Sequence, residues 1–322
     1  MDLIDRVAHR LKLRDLRLLE IVVRSKSMAR AAASLNLTQP AVSKGISELE
    51  HMLGVRLVER SRQGIEPTPQ GRALLKSGIA IFDDLRQGVR EIEHLSDPTA
   101  GEVHISASDP MVAGLLPIVI LRLSHQYPRI SIFVRSNPIA ILQHRTPQYR
   151  DLREREVDLV LGPVVTAAIE DGLAVEFLFD ESLHVAAGNK NTWARRRTVG
   201  LGELVDEPWC LPPLDSIVGA RCVESFQAFG LGLPRKLVIA QSTQLQIGLL
   251  ASQRHFTMFP RSLLHFSGKR FGIKGLPIHL PVEPRRIGIV TLKHRATSPA
   301  ARLFIQTVRD VAKALTRRKS AK

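Results

Sequence analysis

The chain has 322 residues, of which 44% are apolar and 24% charged. That balance excludes a disordered or collagen-like polymer and leaves room for two or three globular domains. The formal charge of +15 suggests a polyanionic partner, but it is unevenly spread. Residues 1–100 hold 16 Lys and Arg against 13 Asp and Glu, while the remaining 222 residues hold 30 against 18. The basic excess of the later part reads as solvated surface, as an anion-binding pocket, or as extra phosphate contacts on bent DNA. No apolar run reaches membrane-spanning length, and the N-terminal decapeptide lacks a secretory h-region, so a cytoplasmic protein with no membrane partner is expected. Cys210 and Cys222 have neither zinc-ligand spacing nor disulfide density, and are expected to be reduced, buried and inert.

In chain order, Leu13, Leu16, Leu19 and Val22 or Val23 predict a first helix. Residues 28–54, MARAAASLNLTQPAVSKGISELEHMLG, predict two more. Ala31, Ala32 and Ala33 give a face on which another helix can pack closely, and Asn36 suits a left-handed turn. Thr38 then caps a helix with Pro40 in its first turn, where the absent N–H costs nothing. Val42, Ile46, Leu49 and Leu53 form its apolar stripe; Gln39, Ser43, Lys44 and Ser47 occupy the opposite face. Amides, hydroxyls and a cation on an exposed helix start suit base edges and phosphates. The alternative is an ordinary helix pair with a solvated face. The alanine run, tight turn and polar helix start occurring together favour the DNA-reading pair.

Val55, Leu57 and Ile65 flank the turn SRQG and predict a hairpin whose Arg60 and Arg62 meet phosphates or a minor groove. Three helices and a basic hairpin make a winged helix-turn-helix domain over residues 1–68. Thr68 and Pro69 open a long helix over residues 69–97. Leu75, Phe82 and Val89 recur every seven residues in it, with Leu85 and Ile92 between them, which predicts a dimerising coiled-coil seam. A hinge follows at residues 98–102.

From residue 103 strands alternate with helices. Strands are expected at 103–108, 129–136, 157–162, near 185, near 238, near 258 and at 287–293. Helices are expected at 111–127, 220–229 and 299–315, and WCLPPLDS is expected to be turn-rich. This order predicts an α/β effector domain over 103–322. Lobe I would span about 103–165 and 270–322, and lobe II about 166–269.

The stretch AAASLNLTQPAVSKGISELEHMLGVRLVERS followed by PTPQGRALL resembles the LysR-type transcriptional regulators. LLP at 115–117, REVDLVLG at 155–162 and TMFP at 257–260 follow in that family's order. The stretch IFDDLRQGVREIEHLSDPTAGEV also resembles a subgroup that includes a regulator of sugar uptake. The resemblance implies an N-terminal winged helix, a dimerising linker helix and a two-lobed C-terminal domain like a periplasmic binding protein. It implies homodimers assembling into homotetramers on promoter DNA, a small-molecule co-inducer, RNA polymerase as a further partner, and no catalytic, metal or other cofactor site. Gln39, Pro40 and Ser43 align with the family's base- and phosphate-contacting positions, Lys44 with a commonly basic one, and Arg60 with the wing arginine.

For the inter-lobe cleft the resemblance implies Ser106, Ser108 and Asp109 after the first strand, and Gly162 and Pro163 after the third. Asp215 and Ser216 in the turn-rich segment and Gln241, Ser242 and Thr243 after the strand near 238 would complete it. Asp109-Pro110 departs from the Thr or Ser common there and disfavours a simple anion, whereas the basic excess favours one. The family's glycine pair before the TMFP-like stretch is replaced by Gln253 and His255, and the connection from Arg135 to Val157 is longer than usual.

An enzyme is disfavoured. The eleven histidines show no HExxH spacing, no GxSxG or P-loop pattern occurs, and Gly200-x-Gly202 and Gly230-x-Gly232 lack a dinucleotide context. An architectural DNA binder remains a rival reading. A free-standing solute-binding protein is disfavoured by the missing export signal.

Overall fold

A computed structural model describes residues 10–137, 149–164, 169 and 171–316. It divides into two compact units at Gly88/Val89, and each is described by itself.

The first unit contains α1 (Leu13–Ser25), α2 (Met28–Leu35), α3 (Gln39–Leu53), β1 (Val58–Ser61), β2 (Gly64–Pro67) and the start of α4 (Pro69–Ser96). Each helix begins or ends on a local signal. The Ser27 hydroxyl accepts the Arg30 N–H at 3.4 Å, and Asn36 closes α2 at φ 54°. The Thr38 hydroxyl accepts the Ala41 N–H at 3.4 Å, and Gly54 closes α3 at φ 70°. Leu19, Val22, Ala31, Val42, Ile46, Leu49 and Leu57 form one core. Leu13, Ala33 and Leu53 depart from the expected stripes: the first two are exposed and Leu53 is half-buried. Each lies in a terminal turn, or on the far side of a helix too short to bury two faces.

The hairpin is fastened by the Glu50 carboxylate, which accepts the Leu57 and Val58 N–H groups at 2.7 and 3.2 Å. The Thr68 hydroxyl donates to the Arg56 carbonyl at 2.7 Å and accepts the Gly71 N–H at 3.0 Å, which starts α4 against the hairpin. Gly71 is required there, because a Cβ would stand 2.0 Å from the Leu57 carbonyl oxygen.

The expected seam on α4 is corrected at two positions. Leu75 packs on the N-terminal core, and the half-buried Phe82 lies beneath the Arg17 guanidinium, 6.0 Å from its ring centre. Leu85, Val89 and Ile92 are exposed, as are Ile81 and Leu95. The exposed apolar ridge is therefore Ile81, Leu85, Val89, Ile92 and Leu95, each three or four residues from the next.

The second unit carries two five-stranded sheets. The first is built from β3 (Ala100–Ser108), β4 (Arg129–Asn137), β5 (Leu159–Pro163), β6 (Leu173–Glu181) and β12 (Arg285–Leu292), in the order β4-β3-β5-β12-β6. The second is built from β7 (Leu183–Gly188), β8 (Pro208–Leu211), β9 (Lys236–Ile239), β10 (Phe256–Pro260) and β11 (Ile273–Gly275), in the order β11-β7-β10-β8-β9. Helices α5 (Asp109–Ala113), α6 (Leu115–Gln126), α7 (Arg150–Arg153), α8 (Ile217–Ala228), α9 (Thr243–Ala251), α10 (Arg261–Phe271) and α11 (Pro299–Thr316) complete the unit. On α11, Ala301, Phe304, Val308 and Leu315 face the first core beside Val103 and Ile105. Trp209, Phe226 and Phe256 centre the second core.

Several boundaries differ from the expected ones. β6 pairs antiparallel with β12 and belongs to lobe I. β11 pairs with β7, and Leu276, Ile278 and Leu280 enter the second core, so they belong to lobe II. The chain crosses between lobes at Ser182 and between Leu280 and Arg285. Trp209, Cys210 and Leu211 form a buried strand rather than a turn. The expected 111–127 helix is interrupted at Gly114, where a Cβ would come within 2.9 Å of the Leu263 Cα.

The expected hinge is short: residues 100–102 are already in β3, paired with residues 129–131 of β4. Asp97 accepts the Thr99 N–H at 3.0 Å and pairs with Arg129 at 2.8 Å. The Asp158 carboxylate accepts the His104 N–H at 2.8 Å and pairs with Arg295 at 3.0 Å, both partners of that ion pair being buried. Arg90 on α4 lies 3.7 Å from Asp158. Gln253 takes a left-handed backbone (φ 65°), and its amide oxygen accepts the Lys190 N–H at 2.9 Å. Residues 138–148 of the long connection and the cluster Arg317-Arg318-Lys319 lie outside the described residues.

Candidate functional site

In the first unit, α3 buries Val42, Ile46 and Leu49 and leaves Gln39, Pro40, Ser43, Lys44 and Ser47 exposed on the other face. Spacings of three and four place these residues along one strip of helix surface. Lys44 has a loose partner in Glu48 at 3.8 Å with both side chains in solvent, a pairing weak enough for a phosphate to displace. In the hairpin, Arg60 and Arg62 are exposed, Arg60 pairing in register with Ile65. The Ser61 hydroxyl donates to Glu66 at 2.8 Å and accepts the Gln63 N–H at 3.0 Å, which stiffens the tip. A polar helix start and a stiff basic hairpin on one small domain suit a major groove and the adjoining backbone.

In the second unit, a pocket of about 330 Å³ opens between the two sheets. Five expected residues line it: Asp109, Ser216, Gln241, Ser242 and Thr243. Ser216 and Ser242 cap α8 and α9, accepting the Gly219 and Leu245 N–H groups at 3.0 and 3.2 Å. Asp109 accepts a hydrogen bond from the Ser136 hydroxyl.

The other five expected residues are not in this lining. Ser106 is fully buried in β3, its hydroxyl without a hydrogen-bond partner among the described residues. Ser108 and Pro163 line an adjoining space of about 30 Å³ that shares Pro110, Val218 and Pro260 with the pocket. Gly162 lies against Ser108, since a Cβ there would be 3.3 Å from its hydroxyl. Asp215 is exposed and is not among the residues that line the pocket. The wall also includes Pro110, Pro212, Pro213 and Pro260, with Val218, Met258 and Phe259. Ser136 and Gln246 add polar groups that the sequence did not single out.

The small space also holds Glu181, Arg221 and Arg285. Glu181 ends β6 where the chain crosses lobes. It accepts the Ser262 N–H at 3.0 Å and the Ser262 hydroxyl on its other oxygen. Burial raises its pKa to about 7, against the lowering effect of those two hydrogen bonds. Burial also lowers the pKa of Arg221, whose guanidinium donates to the Glu283 carbonyl.

Burial pushes the Cys210 and Cys222 thiols up to about 11 and about 12, leaving both protonated at neutral pH. His184 is lowered by burial and by Arg261 and His279, and lies on a different surface hollow with Arg261 and His265. No group of three His, Cys, Asp or Glu among the described residues is placed to hold a metal. None of the described helices is long and apolar enough to cross a membrane.

Comparison with known proteins accounts for both halves of this arrangement. Residues 13–72 match the bacterial regulatory helix-turn-helix protein, lysR family, and residues 96–313 match the LysR substrate binding domain. The chain is 28% identical over 310 residues to the HTH-type transcriptional regulator GbpR of Azospirillum brasilense, covering 96% of this chain and 89% of that protein. It is 28% identical over 274 residues to the transcriptional dual regulator GltC of Bacillus subtilis, covering 83% and 86%. Among solved structures it resembles full-length CbnR complexed with its target DNA (TM-score 0.60, 18% identity, 94% of this chain and 100% of that one). Full-length OxyR from Pseudomonas aeruginosa gives a TM-score of 0.60 at 22% identity, covering 95% of each chain. With one family domain spanning more than half its length and a second over its winged helix, the chain belongs to the LysR family of DNA-binding transcriptional regulators.

Proposed function

We propose that this regulator binds an interrupted dyad in promoter DNA as a homodimer that pairs into a homotetramer, and that a small organic effector, a sugar or an organic acid, controls it. The observation that carries the reading is the coexistence in one chain of an exposed polar strip on α3 and a pocket of about 330 Å³ between the sheets of the second unit. A pocket of that size fits a small metabolite at the lower end of the range for ligand sites, ~300–1,000 Å³. Two copies joined along the apolar ridge of α4 would present two reading helices to two half-sites. Effector binding between the lobes would change how dimers are spaced on the DNA, and RNA polymerase is the partner through which such a change would act.

The test is selection of bound fragments from random duplex DNA, followed by footprinting with excess unrelated competitor. A recovered dyad whose protection survives the competitor supports the reading. Binding that unrelated duplex removes would make the protein an architectural binder instead.

A further inference from the structure

The lining of the inter-sheet pocket narrows the effector class, an inference that rests on the functional reading just given. The effector half carries 30 Lys and Arg against 18 Asp and Glu outside residues 1–100, yet no Lys, Arg or His lines the pocket among the described residues. The cations are used elsewhere. Arg196 lies 4.0 Å over the Trp193 ring and pairs with Glu203 at 3.0 Å, and Arg286 lies 4.3 Å over the Phe177 ring. Arg221 and Arg285 line the small adjoining space beside Glu181, on the far side of the shared wall of Pro110, Val218 and Pro260, and not the pocket itself.

The pocket instead supplies its own negative charge, the half-buried Asp109. The positive ends of α8 and α9 open nearby, and Ser216 and Ser242 each take up one N–H group there. A carboxylate ligand would face Asp109 across a largely apolar wall with no cation to offset it. An ammonium ligand would find a single carboxylate, already engaged by Ser136, and no open aromatic face, because Phe259 is buried. What remains unengaged is neutral: the side chains of Gln241 and Thr243 have no hydrogen bond among the described residues. Four proline rings offer flat C–H surfaces beside them.

We propose that the effector is an uncharged, hydroxyl-rich molecule of monosaccharide size, with Asp109 accepting hydrogen bonds from its hydroxyls. Gln241 and Thr243 bind further hydroxyls, and the prolines pack on its C–H face.

The test uses sugars that share a ring and differ in charge: galactose, galacturonate and galactosamine, with glucose, glucuronate and glucosamine as a second set. Binding to the full chain is read by titration calorimetry and thermal unfolding. At least one neutral sugar is expected to bind more tightly than its acid and its amine. Asp109→Asn should weaken that binding by about ten- to a hundredfold, the range for a lost hydrogen bond to a charged group. Asp171→Asn, at an exposed position outside the pocket, should leave it unchanged.

Tighter binding of an acid or an amine than of its neutral counterpart overturns the proposal, as does binding of no neutral sugar. Footprinting on the selected dyad separates the two failures. A specific footprint with no neutral ligand removes only the ligand class, whereas loss of sequence specificity removes the regulator reading itself.

Discussion

Glu181 and Ser262 join the two lobes at the point where the chain first crosses between them, the carboxylate accepting both the backbone N–H and the hydroxyl of the serine. Because burial raises the Glu181 pKa from 4.5 to about 7, the folded protein holds this proton more tightly than the unfolded chain does. The associated stability is fully present below about pH 4.5 and is lost as pH rises through 7. The shift corresponds to about 3 kcal/mol. Thermal unfolding between pH 4.5 and 8 should show this decline, and Glu181→Gln, which stays neutral, should flatten it. An unchanged slope in the variant would assign the pH dependence to other groups.

Asp158 is expected to matter more than any surface ion pair. It is paired with a buried Arg295 and also accepts the His104 N–H. Asp158→Ala would leave the guanidinium buried without this partner, at a cost of ~3–5 kcal/mol. Chemical denaturation of the full chain reads the loss. A change below about 1 kcal/mol, typical of exposed pairs, would mean that water or the neighbouring carbonyls replace the carboxylate.

On α3, Gln39→Ala should cost ~1–3 kcal/mol of discrimination at one base position of the selected dyad, the scale of a bidentate amide–adenine contact. Arg60→Ala should weaken binding across all sequences and lower the salt slope by ~1. Competition titrations over dyad variants at several salt concentrations distinguish these outcomes. Uniform weakening by Gln39→Ala would demote that residue to a backbone contact.

The double change Leu85→Asp and Ile92→Asp should convert dimers to monomers, because both side chains lie on the exposed ridge of α4. Phe82 does not probe this interface, since it lies beneath Arg17. Sedimentation equilibrium reads the state, and a surviving dimer would move the interface off α4.

The winged helix was legible because its signals are local. A cap at Thr38, a left-handed Asn36 and a closing Gly54 each depend on a few neighbouring residues. The two faces of α4 were not separable: a 28-residue helix carries one apolar face for its own domain and another that stays exposed, and periodicity alone merges them. β6 escaped notice because LAVEFLFDE is apolar at both parities and its partner β12 lies more than a hundred residues away. Trp209–Leu211 was obscured by the prolines that follow, although the strand precedes them. In the pocket, Asp109, Ser216, Gln241, Ser242 and Thr243 were readable as strand-end and cap residues. Ser136, Gln246 and the prolines were not, because only the convergence of two sheets brings them together.

The central place of β12 in the first sheet also governs the order in which this protein is made. β12 lies between β5 and β6, so lobe I remains split, with open strand edges, until residues 285–292 leave the ribosome. Residues 183–280 form lobe II from one continuous stretch and emerge earlier. Vectorial synthesis therefore favours the later-numbered lobe as the first finished piece of the effector half, with lobe I closing around a neighbour already folded. A nascent chain stalled before residue 285 would expose the edges of β5 and β6, the strands most open to mispairing and to chaperone capture.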